Sequence, residues 1–312
     1  MMIEENLTIS EFPNFVSLDK KYRNSLKSLF FSLKDGISEL TFDSLIIHNG
    51  KFNHKISKIP NSNSYILTGT DEHDNKIKTF FSVLEDENGL EQNKFFFQEI
   101  LPQCFDRFKF WKLMSESQYK KYQNILNEMN ITVEFDRDNS DYIYNRIDLA
   151  NLSGKDFHKK KNLVNAFLKN SNISIKNLDS TNTKDALKIL ELWAENRDLK
   201  QTDYYQCIDA LDDIKNENSI LSGIIAYVEE KPVAWSIGEF LPDGKTYLVH
   251  FEKGDNNYKG VYQFINNATV KNLPESVLYI NREQDLGDEG MRQAKMTYRP
   301  CGFINKYLAY KS

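Results

Sequence analysis

Apolar residues recur at helical spacing from Leu18 to Leu33 (Tyr22, Leu26, Leu29, Phe30 and Leu33), which predicts an amphipathic helix stopped by Gly36. The runs Ile56 to Ile59 and Tyr65 to Thr68 are β-rich and are separated by Pro60-Asn61-Ser62-Asn63, the composition of a hairpin turn. Further on, Glu91 to Ile100 reads as helix, Phe108 to Leu113 as strand, Glu116 to Met129 as helix and Ile131 to Phe135 as strand. The polar break Asp136-Arg137-Asp138-Asn139-Ser140-Asp141 marks an inter-domain connection running towards Gly154.

The second half resumes the same alternation. Helices are expected over Ser153 to Asn170, Thr183 to Leu199 and Cys207 to Lys215, with a strand over Ile173 to Leu178. Three β-rich runs follow (Leu221 to Glu229, Pro232 to Phe240, Thr246 to Glu252), with turn signals at Glu230-Lys231 and Pro242-Asp243-Gly244. They read as an antiparallel meander. A helix over Lys259 to Asn272, a strand over Val277 to Ile280, a short helix over Asp288 to Met296 and a strand over Phe303 to Tyr310 close the chain. The fold class is α+β, with mixed, mainly antiparallel sheets flanked by helices, and the order of the second half matches the GNAT acyltransferase fold in outline. With 312 residues, two domains are expected, 1–145 and 146–312.

Charge and cysteine usage narrow the function classes. No apolar run approaches the roughly 20 residues of a membrane-spanning helix. The acidic start Met1 to Asn6 lacks the basic and apolar order of a secretory signal, so a cytoplasmic chain is expected. Three scattered cysteines and five histidines form no metal-ligand spacing, and no metal is expected. The net charge of -5 argues against a general nucleic-acid binder, yet Lys155 to Lys176 holds six lysines and one acid. On a helix, His158 and Lys161 share a face; together with Lys155, Lys159 and Lys160 they make candidate contacts to phosphate, including that of tRNA, against the plainer reading of a solvated face.

The densest candidate chemistry is Asn281-Arg282-Glu283-Gln284-Asp285-Leu286-Gly287, at the end of an expected strand, continuing into Arg292 and Lys295. Of eight arginines, three (Arg282, Arg292, Arg299) crowd into this lysine-biased chain's residues 282–299, as for bidentate recognition of carboxylate or phosphate. A plainer explanation for Arg292 is helical pairing with Asp288 or Glu289. Glu283 and Asp285 beside these arginines should stay ionised and suit an ammonium group, so the loop can read an amino acid. In Tyr247 to Lys253, strand alternation places Leu248, His250 and Glu252 on one face, where His250 and Glu252 are close enough to serve one pocket, against the usual role of a satisfied core histidine. A pyrophosphate loop for CoA needs small residues at a helix start, whereas Lys259-Gly260-Val261-Tyr262 keeps one glycine and a bulky tyrosine; CoA binding is disfavoured.

Taken together, several blocks resemble the phosphatidylglycerol lysyltransferase C-terminal domain family: Asp141-Tyr142-Ile143-Tyr144, His158-Lys159-Lys160-Lys161-Asn162, Ala234-Trp235-Ser236-Ile237-Gly238-Glu239, His250-Phe251-Glu252-Lys253, the Asn281 to Gly287 run, Gly290-Met291-Arg292-Gln293-Ala294-Lys295 and Tyr298-Arg299-Pro300. The resemblance implies two tandem GNAT-like domains and transfer of an aminoacyl group from charged tRNA to a lipid, peptide or small-molecule acceptor. It implies no further cofactor. His250, Glu252, Lys253 and Arg282 would be the catalytic set, and Glu283, Asp285, Arg292, Lys295 and Tyr298 would bind substrate. Lipid-modifying members carry a membrane-spanning part before this domain, and no such segment is expected from the residues of this sequence. Two other readings are CoA-dependent N-acylation and a ligand-binding relative without catalysis.

Overall fold

The structure is a computed structural model that describes residues 8–84, 94–216 and 219–311. The first three residues of the helix expected over Glu91 to Ile100, and the acidic Met1 to Asn6 start, lie outside the described residues. The chain forms two compact units: Met1–Arg137 with Asn305–Ser312, and Asp138–Ile304.

In the first unit the strands are β1 (Val16–Ser17), β2 (Lys55–Lys58), β3 (Tyr65–Thr70), β4 (Lys78–Val83), β5 (Phe110–Ser115) and β6 (Ile131–Phe135). The second unit holds β7 (Asp141–Asn145), β8 (Ile173–Asn177), β9 (Ser222–Val228), β10 (Lys231–Phe240), β11 (Thr246–Gly254), β12 (Tyr279–Asn281) and β13 (Gly302–Ile304), and β14 (Lys306–Lys311) returns to the first. Each unit has a seven-stranded sheet, ordered β1-β2-β3-β4-β5-β14-β6 and β13-β7-β12-β11-β10-β9-β8. Both are antiparallel except for one parallel pair each, β4 with β5 and β11 with β12.

Local chemistry sets the element ends. The helix Glu116–Glu128 starts on a capping box in which Ser115 and Gln118 satisfy each other's backbone amides. The short helix Glu289–Met296 starts where Asp288 accepts from the Met291 amide. In the second unit the helices His158–Phe167 and Val261–Asn272 bury Phe167 and Phe264 as a stacked pair with ring centroids 4.1 Å apart. These rings join Tyr144, Ala226, Ala234, Val249 and Ile280 from the sheet in one core. The opposite face carries Trp235, whose indole N–H donates to the Ala186 carbonyl of the helix Thr183–Ala194.

Two boundaries differ from the sequence reading. The stretch expected to be a linker contains β7, which pairs with both β12 and β13, so the second unit begins at Asp138 instead of 146. The single strand expected over Phe303 to Tyr310 is two strands in two sheets. Gly302–Ile304 pairs with β7, and Lys306–Lys311 inserts between β5 and β6. The Lys306 side chain anchors that insertion, because its buried ammonium is paired with Glu39 of the same unit.

Removing residues 306–312 therefore deletes an interior strand of the first sheet. Hydrogen exchange on the truncated chain should show amide protection in β5 and β6 lowered by about 100-fold or more, while β10 and β11 keep theirs.

Candidate active site

The parallel pairing of β11 with β12 lasts three residues, from Thr246↔Tyr279 to Leu248↔Asn281. Strand β11 runs on to Gly254 while the chain leaves β12 into the loop that starts at Arg282, and side chains from that loop reach the part of β11 that β12 does not accompany. Across β10 the register passes from Ile237↔Phe251 to Gly238↔Val249, which makes His250 the extra residue of a β-bulge. Alternation is thereby broken. Glu252 stands opposite Ser236, whereas His250 hydrogen-bonds Glu239, which points to the other face of β10. His250 and Glu252 consequently leave β11 on opposite faces, which corrects the shared face expected from sequence.

His250 is held at both ring nitrogens. Nε2 lies 2.9 Å from Glu239 Oε1 and Nδ1 lies 2.8 Å from Glu283 Oε1. Its side chain is fully buried, and so is that of Glu239. Burial alone would lower the imidazole pKa, but the hydrogen bonds to Glu239 and Glu283 outweigh it and raise it to about 10. An imidazolium that donates from both nitrogens has no lone pair left to accept a proton, which argues against His250 as a general base.

Glu252 is equally committed. Its Oε2 receives Arg282 Nη2 at 2.6 Å, and its Oε1 receives Asn266 Nδ2 at 3.0 Å from the helix Val261–Asn272. The Arg282 guanidinium lies over the Tyr298 ring, 4.9 Å from the centroid, and 6.0 Å from that of Tyr144. Its Nη1 is buried without a hydrogen-bond partner. An orphaned buried donor costs roughly 1–3 kcal/mol, more when charged. Lys160 Nζ approaches the same Tyr298 ring at 4.1 Å, and burial followed by repulsion from Arg282 lowers its pKa. Burial pushes the Tyr298 hydroxyl up to about 12. Two cations thus converge on one aromatic ring, with Glu252 as the carboxylate partner of Arg282.

The remainder of the loop is scaffold. Asp285 is fully buried and accepts from Arg292, the Tyr142 hydroxyl and the Gly287 amide. Burial would raise its pKa, but these donors hold it down at about 2. Arg292 also pairs with Asp138 at 2.6 Å, so its partners are Asp285 and Asp138 instead of Asp288 or Glu289. Lys295 Nζ donates to the carbonyls of Arg282, Glu283 and Gln284. Burial lowers its pKa to about 8, and the three acceptors suit the three protons of an ammonium. Asp285, Arg292 and Lys295 therefore fix the loop, whose Glu283, Leu286 and Gly287 all have positive φ. Lys253 is similarly occupied: it pairs with Asp203 at 2.6 Å and lies 4.3 Å from the Trp193 ring.

Of the basic strip, Lys155, Lys159 and Lys160 line an open cleft of about 540 Å³ with Asp156, Gln293, Met296 and Arg299. His158 and Lys161, also expected to meet phosphate, lie on the same helix but outside this lining. Arg299, unassigned from sequence, joins them; its place in the arginine-rich 282–299 segment was the signal. Glu239 closes the quoted Ala234 to Glu239 block but was given no role at the site, because its partner His250 is known only from the register of β10 with β11. Cys104 and Cys207 are buried, and burial raises their thiol pKa, that of Cys104 to about 12. No group of three or more His, Cys, Asp or Glu among the described residues is placed to hold a metal.

At the start of the helix Val261–Asn272, Gly260 has φ of 84°, and a Cβ there would lie 2.1 Å from the Leu163 carbonyl oxygen. The glycine thus serves packing between two helices. The Val261 amide donates to the Tyr258 carbonyl, and Tyr262 donates from its hydroxyl to the Gly254 carbonyl.

Two units, each with a mainly antiparallel, helix-flanked sheet carrying one parallel pair, define a tandem GNAT-like fold. A tandem GNAT protein from the clavulanic acid biosynthesis pathway aligns over 96% of this chain and 98% of its own, with a TM-score of 0.50 and 7% identity. The model of the phosphatidylglycerol lysyltransferase C-terminal family matches residues 104–310, and the chain belongs to that family. A conserved protein of unknown function from Bacteroides thetaiotaomicron VPI-5482 is similar at a TM-score of 0.80 and 24% identity, covering 96% of this chain and 99% of the other. The structure of L-PGS from Bacillus licheniformis is similar at 0.63 and 12%, covering 97% and 94%. No curated protein sequence matches. No described helix is long and apolar enough to cross a membrane.

Two expectations follow. Because the His250 pKa is raised on folding, its stabilisation is complete below about 6.5 and is lost as the pH rises through about 10. Urea titrations of the wild type should show stability falling across that window, and His250→Gln should flatten the slope. Gly260→Ala, strained in φ and clashing with the Leu163 carbonyl, should cost about 3 kcal/mol in the same assay.

Proposed function

We propose that the chain is an acyltransferase that moves an aminoacyl group from aminoacyl-tRNA to the hydroxyl or amine of a lipid, peptide or small molecule. The observation that carries this reading is the buried Arg282 guanidinium with its unpartnered Nη1, beside Lys160 and at the Tyr298 ring. Such a site suits an oxyanion. In the reaction the acceptor attacks the ester carbonyl, the new C–O or C–N bond replaces the bond to the ribose oxygen, and the proton lost by the acceptor is matched by the one gained by the ribose hydroxyl. The ester is already activated, so positioning and charge stabilisation by Arg282 serve without a covalent nucleophile. Lys155, Lys159 and Arg299 in the adjoining cleft would meet tRNA phosphates.

CoA-dependent N-acylation fits these residues less well. The Val261 amide that would face a pyrophosphate is already bonded to Tyr258, and Tyr262 takes the place of a small residue in the loop.

The test is release of labelled amino acid from a mixture of charged tRNAs into a lipid or small-molecule extract. Arg282→Ala should lower the rate by about 100-fold or more. The pair Lys155→Glu and Lys159→Glu should mainly raise KM for charged tRNA and weaken its salt dependence. Acetyl transfer from acetyl-CoA, with no release from any charged tRNA, would replace this reading with the CoA one.

A further inference from the structure

We propose that Glu239 and His250 are positioning residues for the transfer reaction: the imidazolium clamped between the Glu239 and Glu283 carboxylates holds Glu283 in place and thereby aims the adjacent Arg282. This rests on the function proposed above, in which Arg282 is the group that meets the reacting ester.

The argument begins with the bulge. In a regular strand His250 would belong to one of the two alternating rows of side chains; as the extra residue it reaches Glu239 on β10 and the loop after β12 together. Glu283 sits at φ of 55°, a conformation a glutamate adopts only when its surroundings impose it. Those surroundings include His250, which bonds the Glu283 carboxylate, Asn281, whose Oδ1 accepts from the Glu283 amide, and Lys295 and the Tyr142 amide, which donate to its carbonyl. The next residue back, Arg282, turns to the opposite face onto Glu252 and Tyr298. The direction of Arg282 thus depends on where Glu283 is pinned, and a buried imidazole is one pin on its side chain. Glu239 from β10 and Glu283 from the loop are titratable groups that face His250, and the ring of its neighbour Phe251 lies 6.1 Å away. The Glu239 side chain is 1% exposed and Glu283 21%, so the clamp runs from a dry interior end to an end that borders solvent.

The experiment has two arms. Nitrogen NMR of the wild type should show both His250 ring nitrogens protonated at pH 8; a neutral ring there overturns the proposal regardless of any activity. Glu239→Gln keeps the shape and removes one charge, so His250 should titrate closer to neutral pH. Transfer should then lose roughly 10–100-fold in kcat on the alkaline side, with KM for charged tRNA little changed and activity recovered at lower pH. His250→Gln should show the loss at every pH. A Glu239→Gln pH profile identical to wild type, in a protein where Arg282→Ala abolishes transfer, also overturns the proposal. Absence of transfer in the wild type would instead defeat the proposed function, leaving the NMR arm to judge the clamp. Should Glu239→Gln not fold, wild-type NMR and His250→Gln decide.

Discussion

A charge taken out of water must be met by an opposite charge or by a set of aligned dipoles, and the loop from Arg282 to Lys295 is shaped by that demand. Three cations are committed there. His250 has Glu239 and Glu283, Arg292 has Asp285 and Asp138, and Lys295 has three backbone carbonyls. Each commitment fixes one part of a backbone that would otherwise avoid left-handed conformations at Glu283 and Leu286. Arg282 is the exception, because Glu252 takes one guanidinium nitrogen and leaves Nη1 buried and unpartnered. The fold surrounds one incompletely satisfied arginine with groups that are satisfied.

The location of this site was legible in the sequence and its wiring was not. A run of Asn, Arg, Glu and Asp after an expected strand, with three arginines in a lysine-biased chain, pointed to residues 281–299. The role of each residue depends on partners distant in sequence, such as Asp138 for Arg292 and Tyr142 for Asp285, and single-chain spacing cannot reveal them. The helical neighbours Asp288 and Glu289 were the local alternative for Arg292, and a partner far along the chain displaced them. The bulge at His250 was invisible for another reason: alternation in Tyr247 to Lys253 is uninterrupted in the sequence, and the extra residue appears only when the register with β10 is known.

The meander of β9, β10 and β11 and the helices around it were read well, because their patterns are long and strongly periodic. Strand β7 was read as linker because it follows a polar break and is only five residues long. Gly260 shows how a motif can be kept for a different purpose. It stands where a phosphate-binding glycine would, yet its missing side chain makes room for the Leu163 carbonyl.

The path of β14 has a consequence for how the protein is made. A ribosome supplies the strand that separates β5 from β6 only after all of Asp138–Ile304 has emerged, whereas that second unit is continuous in sequence. The second unit can therefore close while the first still lacks an interior strand, with the facing edges of β5 and β6 unpaired. Most of the first unit is synthesised before the second, but its sheet is completed after it, and the interval in which it is open to mispairing is set by the time needed to translate its neighbour.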